Sequence, residues 1–153
     1  MASKKVLILY YSGSGNTRKM AKAIAEGMKS SGVEITLSEA GEFDVSSLPN
    51  YDGIVLGSPT YFSNVSWQVK KVIDESIVHY GGGKLKGKVA GIFTSAGTSR
   101  DGKDCLKMLE LALGLHHKMK VVEGILRVDG ESDQEVKKRC LEYGKRLLRE
   151  IEK

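Results

Sequence analysis

Thiols, prolines and long apolar runs are all scarce in this chain, and each scarcity excludes a class of protein. Cys105 and Cys140 are its 2 cysteines, far apart and with no CxxC, so neither a metal knuckle nor a thioredoxin-type dithiol is available. Both fall on apolar stripes of predicted helices, as buried reduced thiols do. Proline occurs only at Pro49 and Pro59, and there is no linker, repeat or low-complexity tract. The longest apolar runs, such as Val6 to Tyr11, are far too short to span a bilayer. Met1-Ala2-Ser3-Lys4-Lys5 is basic, but a short strand follows it rather than a secretory apolar region. A cytoplasmic protein without a membrane partner is therefore expected.

Charge of one sign is in modest surplus, at 24 Lys and Arg against 19 Asp and Glu, for a net +5 and a pI near 9.1. Nucleic-acid binding wants that surplus clustered on a recognisable module. Here the basic residues are spread, in small groups at Lys70-Lys71, Lys84 to Lys88 and Lys137-Lys138-Arg139. No nucleic-acid partner is expected, and the surplus points at most to an anionic redox partner or substrate.

What the chain does have is strand and helix signals in alternation. At 153 residues, 41% hydrophobic and 28% charged, it reads as a single domain over 1–153. Val6 to Tyr10, Gly53 to Gly57 and Val89 to Thr94 are continuous apolar runs, as expected of buried parallel strands. Glu34 to Ser38 alternates, which suits a strand nearer the sheet edge, and Val121 to Val128 supplies a fifth strand interrupted by Gly124. Helical stripes follow each strand except the second, where Gly41 to Asp52 reads as a connection with little helix. Repeated β-α units imply an α/β fold, a parallel sheet with helices on both faces. Ligands of such sheets sit beyond the carboxyl ends of the strands, which selects three loops.

The first is Ser12-Gly13-Ser14-Gly15-Asn16-Thr17. Two glycines let the backbone fold tightly, three hydroxyls add donors, and a helix N-terminus adds positive potential, all of which suit a phosphate. No Lys-Ser/Thr follows the glycines, so it is not a P-loop. Arg18 stands where the dinucleotide fingerprint needs a third glycine. The plainer alternative is a tight turn with Asn16 or Thr17 capping the helix. The second loop, Gly57-Ser58-Pro59-Thr60-Tyr61-Phe62-Ser63-Asn64, sets two aromatics able to cover a flat ring beside polar groups. The third, Thr94-Ser95-Ala96-Gly97-Thr98-Ser99-Arg100-Asp101-Gly102, is rich in small residues that admit close approach of backbone to a planar ligand.

Tyr10-Tyr11-Ser12-Gly13-Ser14-Gly15-Asn16-Thr17 after an apolar strand resembles the FMN-phosphate loop of the flavodoxin family, and Gly-Ser-Pro-Thr-Tyr-Phe before a helix resembles the flavin-ring loop of flavodoxin-like reductases. The resemblance runs over essentially the whole chain. It implies a doubly wound five-stranded parallel sheet of order 2-1-3-4-5 with FMN as cofactor. It places Ser12, Gly13, Ser14, Gly15, Asn16 and Thr17 at the phosphate. Ser58, Pro59, Thr60, Tyr61, Phe62 and Asn64 fall at the ring, with Ser95, Ala96, Gly97, Thr98, Arg100, Asp101 and Gly102 opposite.

Within the family the motifs are most similar to the tryptophan-repressor-binding-protein type of NAD(P)H:quinone oxidoreductase. They include Phe93-Thr94-Ser95-Ala96-Gly97-Thr98 and Leu115-His116-His117-Lys118-Met119. That resemblance puts His117 near a flavin, of its own or a partner subunit. It puts Arg100 where the group has a histidine. The chain departs from the group by lacking its insertion after Gly124 and by carrying Gly81-Gly82-Gly83 in place of a tryptophan that reaches a neighbouring flavin. The aromatic that many flavodoxins carry in the third loop is also absent. Iron–sulfur flavoproteins share the second-loop motif, but they need a compact cysteine cluster. The expected function is therefore electron transfer between partner redox proteins by a monomer or homodimer. The alternative is an NAD(P)H-dependent enzyme reducing quinones or similar acceptors. A non-redox scaffold has only the charge in its favour.

Overall fold

In the structure, a computed structural model describing residues 3–153, Met1 and Ala2 of the basic leader lie outside the described residues. The elements run β1 (Lys4–Tyr10), α1 (Asn16–Gly27), β2 (Val33–Glu39), β3 (Gly53–Tyr61), β4 (Asn64–Val65) and α2 (Trp67–Glu75). They continue with β5 (Val89–Ala96), α3 (Ser99–Glu110), β6 (Lys120–Val121), β7 (Ile125–Val128) and α4 (Asp133–Glu152). Short 3-10 turns cover Val45–Asn50 and Ser76–His79, and a π-helical turn covers Leu111–His116.

The sheet is ordered β2-β1-β3-β5-β6, with β7 beside β5 further along and β4 folded back on β3. All pairings are parallel except β3 with β4. The expected order 2-1-3-4-5 is therefore present, its fifth strand interrupted around Gly124 as the sequence indicates, with one addition, the hairpin strand β4. Ile8 lies level with Leu37 on one side and Val55 on the other, which puts β1 in the middle of the apolar layer.

Alternation along the strands divides the core in two. Leu7, Leu9, Leu56 and Ile92 face α2 and α3, against Val69, Val72, Cys105 and Leu109. Val6, Ile8, Val55 and Phe93 face α1 and α4, against Met20, Ile24, Cys140 and Leu147. Each fully buried side chain of this kind contributes about 1.5–3 kcal/mol. Burial also pushes both thiols up, Cys140 to about 12, so they stay protonated and inert. On the second face α1 and α4 touch backbone to backbone. A Cβ on Gly144 would fall against the carbonyl oxygen of Ile24, and one on Gly27 against that of Leu141.

The break in the edge strand is bridged from outside the sheet. The Tyr143 hydroxyl of α4 accepts from the Ile92 N–H at 3.0 Å and donates to the Val122 carbonyl at 2.9 Å. Among the described residues no helix is long and apolar enough to cross a membrane.

Candidate functional site

The three loops meet at the carboxyl edge of the sheet. Helix α1 begins at Asn16, and its N-cap is Gly15 in the left-handed region at φ 101°. Neither Asn16 nor Thr17 caps it. Ser12 does the local work instead, its Oγ accepting the N–H of Gly15 at 3.1 Å and of Arg18 at 3.2 Å. Glycine is required at position 15 because a side chain there would be strained. The first turn of α1 holds no acidic residue, whereas those of α3 and α4 hold Asp101 and Asp133. The N–H groups of that turn have no partner within the helix. Thr17 is buried, its Oγ1 2.9 Å from Ser95 Oγ in the third loop.

Strand β3 runs further than its apolar pattern suggests, through Ser58, Pro59 and Thr60 to Tyr61. Proline is tolerated at 59 because β1 stops pairing at Tyr10–Gly57, while β5 pairs on as far as Pro59–Ser95. Past Gly57 one side of β3 has no ladder partner to lose. Ser58 is fully buried, its hydroxyl donating to the Pro59 carbonyl at 2.7 Å and accepting the Ser66 N–H at 2.9 Å. It therefore shapes the loop from beneath. Thr60 Oγ1 lies 2.7 Å from Thr94 Oγ1, and Asn64 Oδ1 accepts the Val65 N–H at 2.7 Å.

The tip of the hairpin is strained. Phe62 and Ser63 have φ of 52° and 65°, consecutive non-glycine residues in the left-handed region. Phe62 stands free of the protein, 103% exposed, while Tyr61 is 45% exposed and lays its hydroxyl where a Cβ on Gly13 would go. Ser63 Oγ donates to Asp101 Oδ1 at 2.9 Å.

In the third loop Ser95 and Ala96 are buried at the end of β5, and Gly97, Thr98 and Arg100 are exposed. Thr98 caps α3, its side chain accepting the Asp101 N–H at 3.2 Å. Gly102 packs under the helix start, where a Cβ would fall against Leu126. Hydrogen bonds thus tie loop one to loop three and loop two to loop three, and Tyr61 reaches from loop two over loop one. Two residues at this edge escaped the sequence reading. Trp67 opens α2 beside the hairpin and is 69% exposed, and Asp129 lies with Oδ2 3.8 Å from a Cβ built on Gly97. A lone exposed tryptophan next to an aromatic loop was the available signal for the first. Asp129 had none.

A profile of the flavodoxin domain matches residues 7–130. A flavodoxin of Clostridium saccharobutylicum is 38% identical over 127 residues, covering 82% of this chain and 73% of that one. An NAD(P)H dehydrogenase (quinone) of Rhizobium rhizogenes is 35% identical over 138 residues, covering 77% of this chain and 69% of that one. The crystal structure of a flavodoxin, WrbA-like protein from Agrobacterium tumefaciens superposes with a TM-score of 0.84 at 30% identity, over 98% of each chain. The chain belongs to the flavodoxin family.

Membership sharpens where the histidines stand. His117 lies at the other end of the flavodoxin sheet, just before Lys120, which pairs with Val89 at the start of β5. Six residues of strand separate Val89 from Ser95, about 20 Å at 3.3 Å per residue. The structure therefore does not bring His117 to the loops of its own chain. Its Nε2 is 2.8 Å from Ser76 Oγ, and Ser76 donates its own proton to the Ile73 carbonyl at 2.6 Å, which assigns the hydrogen to Nε2. Burial holds the His117 pKa below the usual imidazole value, with His79 and His116 pushing the same way. This histidine is a neutral core residue within its own chain.

Proposed function

We propose that this chain binds FMN at the carboxyl edge, with the phosphate on Ser12 to Thr17 and the ring between the second and third loops, and passes electrons between partner redox proteins. The observation that carries the reading is the start of α1. It is a helix N-terminus free of acidic side chains, opened by a left-handed glycine and flanked by hydroxyls, one of them linked to the third loop. Such a terminus suits a dianionic phosphate, which helix amides and hydroxyls can hold without a lysine. FMN supplies one- and two-electron chemistry, and the protein supplies binding and electrostatic tuning.

The donor set at this edge fits that division. Apart from Arg100, Asp101 and Asp129 it consists of hydroxyls, amides, aromatic rings and backbone, and Asp101 is engaged with Ser63. A donor set dominated by hydroxyls and amides suits a carrier whose partners deliver and remove electrons. A second reading, NAD(P)H-dependent reduction of quinones, is supported by the small residues of the third loop, which leave a planar face open to a substrate. Purified protein titrated with FMN, FAD and riboflavin tests the cofactor, and FMN is expected to bind tightest. Equal or tighter binding of FAD overturns the phosphate assignment. Oxidation of NADH or NADPH by the FMN-loaded protein with a benzoquinone acceptor separates the readings, and turnover at enzymatic rates replaces the carrier with the oxidoreductase.

A further inference from the structure

The hairpin tip that faces the site is in a conformation its residues resist. Phe62 and Ser63 are consecutive, both left-handed and neither glycine, whereas two-residue hairpin turns of this hand usually carry Asn-Gly. Each such residue costs about 1–3 kcal/mol, so the turn persists only where its surroundings hold it. Phe62 cannot hold it, because its side chain touches nothing. Tyr61 rests on Gly13 by the far end of a flexible side chain. The β3–β4 ladder closes the base of the turn, with Thr60 opposite Val65 and Tyr61 opposite Asn64, and Thr60 Oγ1 lies 2.7 Å from Thr94 Oγ1. At the tip itself the tether to the rest of the protein is the 2.9 Å hydrogen bond from Ser63 Oγ to Asp101 Oδ1.

Asp101 is well placed to serve as a tether post. It lies in the first turn of α3, where the helix dipole favours a carboxylate, and its N–H is fixed by the cap residue Thr98. A hydrogen bond to a charged acceptor is roughly twice as strong as a neutral one. We propose that Asp101 is a positioning residue. Through Ser63 it clamps the strained 61–64 turn, and the clamp presets the backbone of that turn for the cofactor ring. The inference rests on the FMN reading of this edge, and it assigns a role to a side chain that need not touch the ring. The clamp needs an acceptor oxygen at position 101, so asparagine there can substitute in part.

Ser63→Ala, Asp101→Ala, Asp101→Asn and the double alanine variant distinguish this from a surface ornament. Amide hydrogen exchange of residues 61–65 in the FMN-free protein reads the clamp directly, and FMN dissociation constants and midpoint potentials read its consequence. Ser63→Ala and Asp101→Ala should each speed exchange at the turn and weaken FMN about tenfold, and the double variant should be no worse than either single. Asp101→Asn keeps an acceptor but not the charge, so its exchange should lie between parent and alanine variant and it should keep most of the affinity. Its potential should rise through loss of the negative charge alone. Parent-like exchange and affinity in both single alanine variants overturn the proposal, as do additive losses in the double variant or an asparagine variant as loose as the alanine one. A parent that binds no FMN overturns the reading of the site itself. Slow exchange at the turn that becomes fast in the alanine variants would still show the clamp in that case.

Discussion

Thr17 offers the sharpest test of the phosphate assignment, because its one hydroxyl proton can serve only one acceptor. Its Oγ1 sits 2.9 Å from Ser95 Oγ at a site 1% exposed. If Ser95 donates to Thr17, the Thr17 proton is free to point at the ligand, and the two hydroxyls form a relay from the third loop into the first. Thr17→Val keeps the shape and removes the hydroxyl. Losing the Ser95 bond should cost the fold about 0.5–1.5 kcal/mol. Losing a charge-assisted bond to a phosphate should cost binding about 1–3 kcal/mol, which is roughly 5- to 150-fold in affinity. Riboflavin lacks the phosphate and serves as the internal control. Fluorescence titration of parent and Thr17→Val with both ligands should show FMN weakened and riboflavin nearly unchanged. A parallel loss for both would make Thr17 a scaffold residue only. Unchanged affinity for both would remove the first loop from the site.

Tyr61→Ala should weaken FMN about fivefold, from about 1 kcal/mol of lost ring packing, and raise the midpoint potential, since an electron-rich ring disfavours added negative charge. A one-electron shift of 59 mV corresponds to a tenfold change in relative affinity for the two redox states, and unmoved potentials in both Tyr61→Ala and Phe62→Ala would make the aromatics mere packing. Gly144→Ala should lower Tm by about 4–10 °C through roughly 2–3 kcal/mol of overpacking, because the obstacle at Ile24 is backbone and cannot swing aside; an unchanged Tm would mean α4 is less tightly seated than it looks. His117 has a lowered pKa when folded, so the unfolded chain binds the extra proton and stability falls as pH drops through the unfolded value near 6.5. Tm should be flat above about pH 7 and decline towards pH 5, and His117→Gln should flatten that decline; an identical slope in the variant would assign the proton elsewhere.

The fold was legible because its middle strands are too apolar to be anything but buried, and the loops at their ends carry their chemistry as contiguous words. Ser12 to Thr17 needs no tertiary contact to announce a tight, donor-rich turn. What escaped depends on which strand ends first. The apolar run of β3 ends at Gly57, and only the early finish of β1 makes Pro59 acceptable in a strand that continues to Tyr61. The Ser63–Asp101 bond joins residues 38 apart and has no sequence signature. Ser58 resembled a ligand group, but its neighbours Pro59 and Ser66 consume its hydroxyl. His117 stands away from the loops of its own chain, which its motif could not show, since a motif gives identity and spacing but not the end of the sheet on which a helix terminates.

The phenol of Tyr143 gives the edge of this molecule an unusual tolerance. Where Gly124 interrupts the last strand, that hydroxyl bonds Ile92 and Val122 in place of the missing ladder rung. The seam is therefore closed by the final helix and not by the chain that crosses it. Additional residues spliced between Glu123 and Ile125 would lengthen a loop whose ends are already fixed, at the slowly growing cost of a longer closure. An edge stapled from behind keeps its two halves in place through a side chain that belongs to neither of them.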